Sequence, residues 1–87
     1  MISFSIKIED EIGFHARTAS LFAKKASTFN SDIFVEFNGK KVSAKSTLSL
    51  MTLGVKSRDQ IILIAEGSDE KEAHVALVSY IKNNFKE

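Results

Sequence analysis

The chain contains 87 residues, of which 44% are hydrophobic, and its 12 basic and 11 acidic side chains give a formal net charge of +1. Length and composition predict one compact globular domain over residues 1–87 and exclude a disordered or fibrous chain. The nearly balanced charge disfavours a nucleic-acid partner, and the absence of cysteine excludes disulfides, thiolate metal sites and thiol catalysis.

The first half of the chain predicts a strand, a helix and a hairpin. Apolar and polar residues alternate over 2–8, which is typical of a strand with one buried face. Apolar residues at helical spacing over 16–29 predict a helix. Alternation returns over 33–37, and the Asn-Gly pair at 38–39 suits a two-residue turn with positive φ at both positions. A further strand over 40–44 should therefore pair back antiparallel.

A short helix is predicted between Ser46, a good N-cap, and Gly54, a good residue just past a helix end. Its apolar side chains point two ways. One side carries Thr47, Leu48 and Met51, and the other carries Leu50 and Leu53. Only one of these sides can face the sheet, so the other should lie at the surface.

The last third of the chain predicts a strand and a helix. Four successive apolar residues at 61–64 indicate a substantially buried strand with a neighbour on each edge. Asp69 and Glu72 form the pattern of a capping box before an amphipathic helix. The complete order βαββαβα predicts an α+β open-faced β-sandwich with its three helices on one face of the sheet.

No membrane insertion is expected, because the longest apolar run, 61–65, is too short to span a bilayer. The N-terminus lacks the basic start and unbroken apolar stretch of a signal peptide. We therefore expect a cytoplasmic protein.

A candidate phosphoryl site lies in the segment Gly13-Phe14-His15-Ala16-Arg17, where a loop enters the first helix. The first-turn N–H groups of a helix lack intrahelical partners and attract anions. They could hold a phosphoryl group on the His15 ring, with the Arg17 guanidinium adding a fork of donors. An unprotonated ring nitrogen of histidine is a competent nucleophile for such a transfer. Alternatively, His15 is an ordinary helix residue and Arg17 a solvated charge.

A candidate docking surface lies beside this segment. The side of the first helix opposite its core stripe carries Arg17, Ser20, Leu21 and Lys24. Leu21 should be exposed, and Leu48 and Met51 of the short helix could extend the patch. An apolar centre with a basic rim suits docking to an acidic protein surface. Alternatively, Leu21 and Leu48 pack on each other or on loops.

Two further polar residues admit simple interpretations. Ser46 either only caps the short helix or is also phosphorylated, in which case its negative charge would repel an acidic partner. His74 is interpreted as a partly solvated helix histidine, because no ligand cluster in the sequence matches it to a metal.

These motifs together resemble the histidine-containing phosphocarrier family HPr. The resemblance rests on the segment 13–17, on Lys45-Ser46 and on Met51-Thr52-Leu53-Gly54, and it extends over essentially the whole chain. It implies the sheet order 1-4-2-3. It also implies a place in the bacterial phosphoenolpyruvate-dependent sugar phosphotransferase system.

The resemblance implies that the chain takes a phosphoryl group from enzyme I and passes it to sugar-specific IIA proteins or domains. Phosphoenolpyruvate would be the upstream donor, and no cofactor or metal is implied. His15 would carry the phosphoryl group on Nδ1, and Arg17 would stabilise it. The implied docking surface comprises Ala16, Ser20, Leu21, Lys24, Thr47, Leu48 and Met51.

The resemblance also implies regulation. In HPr proteins of low-GC Gram-positive bacteria, the serine at the position of Ser46 is phosphorylated by an ATP-dependent HPr kinase/phosphorylase. This modification slows the histidine relay and supports a catabolite-control transcription regulator. We expect a monomer, because a relay must expose one face to successive partners.

The chain departs from the family pattern at three positions. Thr18 stands where the family usually has proline, which threonine can replace in a first helical turn while restoring an N–H donor. Thr47 stands where a larger apolar residue is common, and Ser49 where glycine is frequent. We expect the relay to survive the change at Thr18, and we expect the changes at Thr47 and Ser49 to bear on partner affinity and kinase recognition.

Three other functions are compatible with parts of the pattern. An HPr-like regulatory protein could act mainly through Ser46, although retention of His15 and Arg17 argues against loss of the relay. An RNA-binding domain of the RRM type shares the element order through the fourth strand but would need an aromatic platform that this sequence lacks. A small hydrolase would need a nucleophile-base-acid set, which two histidines on separate elements do not provide.

Overall fold

The computed structural model describes residues 1–9, 11 and 13–86. Its elements follow the predicted order, and their bounds are β1 (Ile2–Lys7), α1 (Ala16–Ala26), β2 (Asp32–Phe37), β3 (Lys40–Ser43), α2 (Thr47–Thr52), β4 (Gln60–Glu66) and α3 (Glu70–Lys82). No helix within the described ranges is both long enough and apolar enough to cross a membrane.

The four strands form one antiparallel sheet in the order β1-β4-β2-β3, as the family resemblance implied. β4 is central, because Leu63 lies opposite Phe4 of β1 on one edge and Val35 of β2 on the other. The β2–β3 hairpin turns through Asn38 and Gly39, whose φ values of 57° and 79° are the predicted positive pair.

One face of the sheet is covered by the helices, and the other is open. Ile61 and Leu63 point into the core, at 1% and 0% exposure. Ile62 is 39% exposed, so the prediction that the whole run is substantially buried was wrong for this residue. Side chains alternate along a strand, and the open face receives every second one. Phe4 and Ile6 lie two residues apart on the same side of the edge strand β1, yet Phe4 is 45% exposed and Ile6 is buried.

The start of α3 differs from the predicted capping box. Asp69 occupies the N-cap position, but its side chain makes no cap hydrogen bond. Its carboxylate instead accepts hydrogen bonds from the backbone N–H groups of Asn30 and Ser31 and from the Ser31 hydroxyl. Glu70, rather than Glu72, reaches back over the helix start, where its Oε1 accepts from the Gly67 N–H at 3.1 Å. The predicted capping box does not form, because the loop before β2 offers three hydrogen-bond donors to the Asp69 carboxylate.

Candidate functional site

The loop before α1 is held against the loop that follows α2. Gly13 has φ +96°, and a Cβ at this position would lie 2.7 Å from the Lys56 Cα, so the site requires glycine. The next residue, Phe14, donates its backbone N–H to the Val55 carbonyl at 3.1 Å. Its buried ring packs against the rings of Phe22 and Phe85. Backbone and side chain thus fix the chain immediately before His15.

His15 is the N-cap of α1. Its backbone is extended, with φ −124° and ψ −174°, and its carbonyl accepts from the Ala19 N–H at 2.8 Å, which begins the helix. The residue is half-buried. The site residue is therefore anchored by its backbone at the positive end of an eleven-residue helix.

Thr18 makes a contribution that the sequence analysis missed. Its side chain is fully buried, and its Oγ1 donates to the Gly13 carbonyl at 2.7 Å. The same oxygen accepts from the His15 N–H at 3.1 Å. The sequence predicts only that Thr18 replaces proline and restores a backbone N–H. The available signal was a hydroxyl three residues after the N-cap, a position from which side chains bond back to the N-cap backbone.

The first turn of α1 suits an anion. Ala16 and Arg17 are exposed, and this turn contains no acidic side chain. Arg17 lies two residues after His15 in this turn, at the positive end of the helix dipole. Negative charge that develops on a group at His15 would be stabilised by both.

Most of the residues assigned to the predicted docking surface are exposed, with one correction to the predicted exposures. Leu48 and Met51 are 73% and 41% exposed, whereas Leu50 is fully buried, so the two-sided character of α2 is confirmed. Leu21 was predicted to be exposed but is half-buried, because it packs against the core and lines a pocket together with Tyr80 of α3. Ser20 and Lys24 are exposed, and Thr47 is half-buried. The surface therefore has its apolar centre on α2 rather than on α1.

Ser46 is the predicted N-cap of α2. Its Oγ accepts from the Ser49 N–H at 3.2 Å, and the residue is half-buried. The C-terminal end of this helix is followed by Gly54 with φ +74°, as predicted. An N-terminal cap position tolerates negative charge, so the helix would accept a phosphate on this hydroxyl.

His74 lies away from this site, on α3. Its ring packs edge-on against Phe4 with centroids 5.7 Å apart, and burial lowers its pKa. Within residues 1–9, 11 and 13–86, no group of three or more potential ligands could hold a metal ion.

Comparison with known proteins places this arrangement in a family. A family model described as the PTS HPr component phosphorylation site matches residues 2–83. The HPr-like protein Crh from Halalkalibacterium halodurans is 44% identical over 82 residues, which cover 94% of this chain and 98% of the relative.

Solved structures agree with both sequence matches. An HPr protein from Thermoanaerobacter tengcongensis superposes with a TM-score of 0.95 at 47% identity, covering 100% of this chain and 98% of the other. Phosphocarrier protein HPr from Bacillus anthracis superposes with a TM-score of 0.88 at 38% identity, covering 92% and 95%. Bacillus subtilis Crh, a swapped dimer, gives 0.78 at 39% identity over the full length of both chains. The chain belongs to the HPr family.

Proposed function

We propose that this chain is a phosphoryl carrier, which accepts a phosphoryl group on His15 from phosphorylated enzyme I and donates it to sugar-specific IIA proteins or domains. The observation that carries the proposal is the position of His15, the N-cap of α1 within a matched HPr phosphorylation-site family. Members of this family are phosphocarriers rather than catalysts, and phosphoenolpyruvate would be the ultimate donor with no cofactor. The carrier would act in the cytoplasm, where its partners work.

The proposed transfer needs little chemistry from the chain. The lone pair of the unprotonated ring nitrogen of His15, Nδ1 in our assignment, attacks the phosphorus. The bond from phosphorus to the donor breaks, and its electron pair stays on the donor. Arg17 and the helix end stabilise the charge on the phosphoryl oxygens. The same sequence in reverse, with a IIA acceptor as nucleophile, returns His15 to its free form.

Docking would use the exposed side of α2 and the neighbouring face of α1. Leu48 and Met51 provide the apolar centre, and Arg17 and Lys24 the basic rim. Such a surface favours an acidic partner. Phosphorylation of Ser46 by HPr kinase/phosphorylase would add negative charge beside this surface and slow the relay. The phosphorylated form would then be available to a catabolite-control regulator.

The second candidate is an HPr-like regulatory protein that acts mainly through Ser46. This second candidate is favoured by the similarity to Crh. Crh from Bacillus subtilis, whose solution structure is known, is described as a catabolite repression HPr. We favour the carrier because this chain has both His15 and Arg17. We also propose that the chain is a monomer, whereas relatives are described as dimers in three solved structures. Sedimentation of the purified protein would decide it.

The test is to incubate the protein with phosphoenolpyruvate and enzyme I, and separately with ATP and HPr kinase, and to map any added phosphoryl mass by peptide. We expect acid-labile phosphate on His15 from the first donor and acid-stable phosphate on Ser46 from the second. His15→Ala should lose the first label, while His74→Ala should keep it. Serine label alone would favour the regulatory function, and no label at all would refute both.

A further inference from the structure

We propose that Thr18 is a positioning residue for His15 in phosphoryl transfer, a role that rests on the proposed carrier function. Two contacts of one buried oxygen carry the inference. Thr18 Oγ1 donates to the Gly13 carbonyl at 2.7 Å and accepts from the His15 N–H at 3.1 Å. The hydroxyl thus bridges the residues on either side of Phe14 and joins both to the first turn of α1.

The bridge completes the attachment of the loop. A hydroxyl has a single proton, and the short contact directs it to Gly13, which leaves a lone pair for the His15 N–H. On its other side, Gly13 packs against the backbone at Lys56 so closely that a side chain would not fit. The backbone before His15 is therefore held from two directions. Because His15 is extended rather than helical, the direction of its ring depends on how this backbone is held.

Proline, the residue usual at this position in the family, has neither a hydroxyl nor an N–H and restricts the backbone through its ring. This chain restricts the same segment through side-chain hydrogen bonds. The hydroxyl is fully buried and cannot touch a docked partner without rearrangement. Its loss should therefore change the geometry of transfer without changing the affinity for the partner.

The test compares Thr18→Val, which keeps the branched shape and removes both hydrogen bonds, with Thr18→Ser, which keeps the hydroxyl. Transfer from phosphorylated enzyme I is followed by rapid quench over a range of enzyme I concentrations. We expect Thr18→Val to reduce the saturating rate roughly tenfold, since small misplacements of a reacting group are costly. The half-saturating concentration should stay within about twofold. Thr18→Ser should restore the rate.

Thr28→Val is the matched control. It removes a threonine hydroxyl that bonds the Lys25 carbonyl at 2.7 Å beyond the other end of α1, and it should leave transfer unchanged. All variants are compared at a temperature where denaturation curves show each to be folded. Hydrogen exchange of the His15 amide gives a second readout. It should accelerate in Thr18→Val, while the Ala19 amide, bonded to the His15 carbonyl, should keep its protection.

The outcomes separate the two proposals. Wild-type protein that takes no label refutes the carrier function and the role of Thr18 with it. Labelled wild type with Thr18→Val equally fast, or with Thr18→Ser as slow as Thr18→Val, refutes only the positioning role. A changed half-saturating concentration at an unchanged saturating rate would place Thr18 in docking, and so would also refute it.

Discussion

The side-chain Nζ of Lys45 donates to the backbone carbonyl of Phe29 at 2.9 Å. This hydrogen bond joins the segment that leads into α2 to the turn that follows α1. Lys45 directly precedes Ser46, the N-cap of α2. The two helices that form the proposed docking surface are therefore tied together next to the candidate regulatory serine.

Replacement of Lys45 by Met should lower the free energy of unfolding by about 1 kcal/mol, because it keeps the aliphatic stem but removes a charge-assisted hydrogen bond. Urea denaturation would measure the change. Lys56→Met, at an exposed lysine after α2, is the control and should have little effect. Equal stability of the two variants would show that the contact with Phe29 adds nothing.

Ser46→Asp should keep the fold and weaken productive docking, because aspartate is also a good N-cap but adds negative charge beside the docking surface. Enzyme I titration should give a higher half-saturating concentration for transfer. Ser46→Ala should instead lose about 1 kcal/mol of stability with the cap and leave docking unchanged. Ser68→Asp, at an exposed serine between β4 and α3, controls for net charge. Identical transfer by Ser46→Asp and wild type would argue against the switch.

The element order could be predicted because periodicity and turn chemistry act locally. The Asn-Gly turn at 38–39 and the two sides of α2 depend only on neighbouring residues, and both are as predicted. Contacts between distant segments could not be foreseen. Asp69 fits a capping box in sequence, yet it bonds Ser31, which lies 38 residues earlier in the chain. The burial of Leu21 similarly depends on its packing against a core built from distant parts of the chain.

In the candidate site, too, some features could be predicted from the sequence and others could not. His15 and Arg17 could be identified from a contiguous motif and its place at a helix start. The bridge by Thr18 could not be identified from the resemblance, because the resemblance implies proline at this position and proline makes no such bridge. It depends on the carbonyl of Gly13 turning toward the helix, which in turn depends on the loop around Val55.

Stability at acidic pH should depend on Asp69. The Ser31 hydroxyl, followed by the backbone N–H groups of Asn30 and Ser31, donates to its carboxylate and lowers its pKa. A lowered pKa in the folded state adds stability that is fully present above the unfolded value of about 4 and is lost as the pH falls through the folded value. Glu70 contributes in the same direction, because the N-terminal ammonium lies 3.0 Å from its carboxylate and also lowers its pKa.

Urea denaturation between pH 7 and pH 2 would test this dependence. Asp69→Asn should make the free energy of unfolding fall less steeply as the pH is lowered. Ser31→Ala should have the same effect to a smaller extent, because the backbone donors to Asp69 remain. Asp32→Asn, at an exposed aspartate of β2, should leave the slope unchanged. A slope in Asp69→Asn identical to that of wild type would contradict the assignment.

Gly13→Ala should be more destabilising than Gly39→Ala, although both positions have positive φ. The two values are +96° and +79°, but a Cβ at position 39 meets nothing within 4 Å, whereas one at position 13 would crowd Lys56. We expect a loss of about 1 kcal/mol for Gly39→Ala and about 2 kcal/mol or more for Gly13→Ala. Gly13→Ala should also slow transfer in the folded protein, because relief of the crowding moves the loop that holds His15. Equal stability losses would contradict the packing argument.

The docking surface can be tested with two apolar residues of similar exposure on different helices. Leu48 of α2 is 73% exposed and Val75 of α3 is 69% exposed. Leu48→Glu should raise the half-saturating concentration of enzyme I by about tenfold or more, because it replaces the apolar centre with a charge that an acidic partner repels. Val75→Glu adds the same charge outside the surface and should have little effect.

Both glutamate variants should remain folded, since each replaces a side chain that is mostly in solvent. Transfer by Leu48→Glu, Val75→Glu and wild type should be measured at low and at high salt concentration. Added salt screens exposed charges, so it should reduce the part of the increase in half-saturating concentration that charge repulsion causes in Leu48→Glu. The part caused by the lost apolar contact should remain. Equal transfer kinetics of Leu48→Glu and Val75→Glu would mean that partners approach His15 over another face, and the basic rim at Arg17 and Lys24 would then need a different explanation.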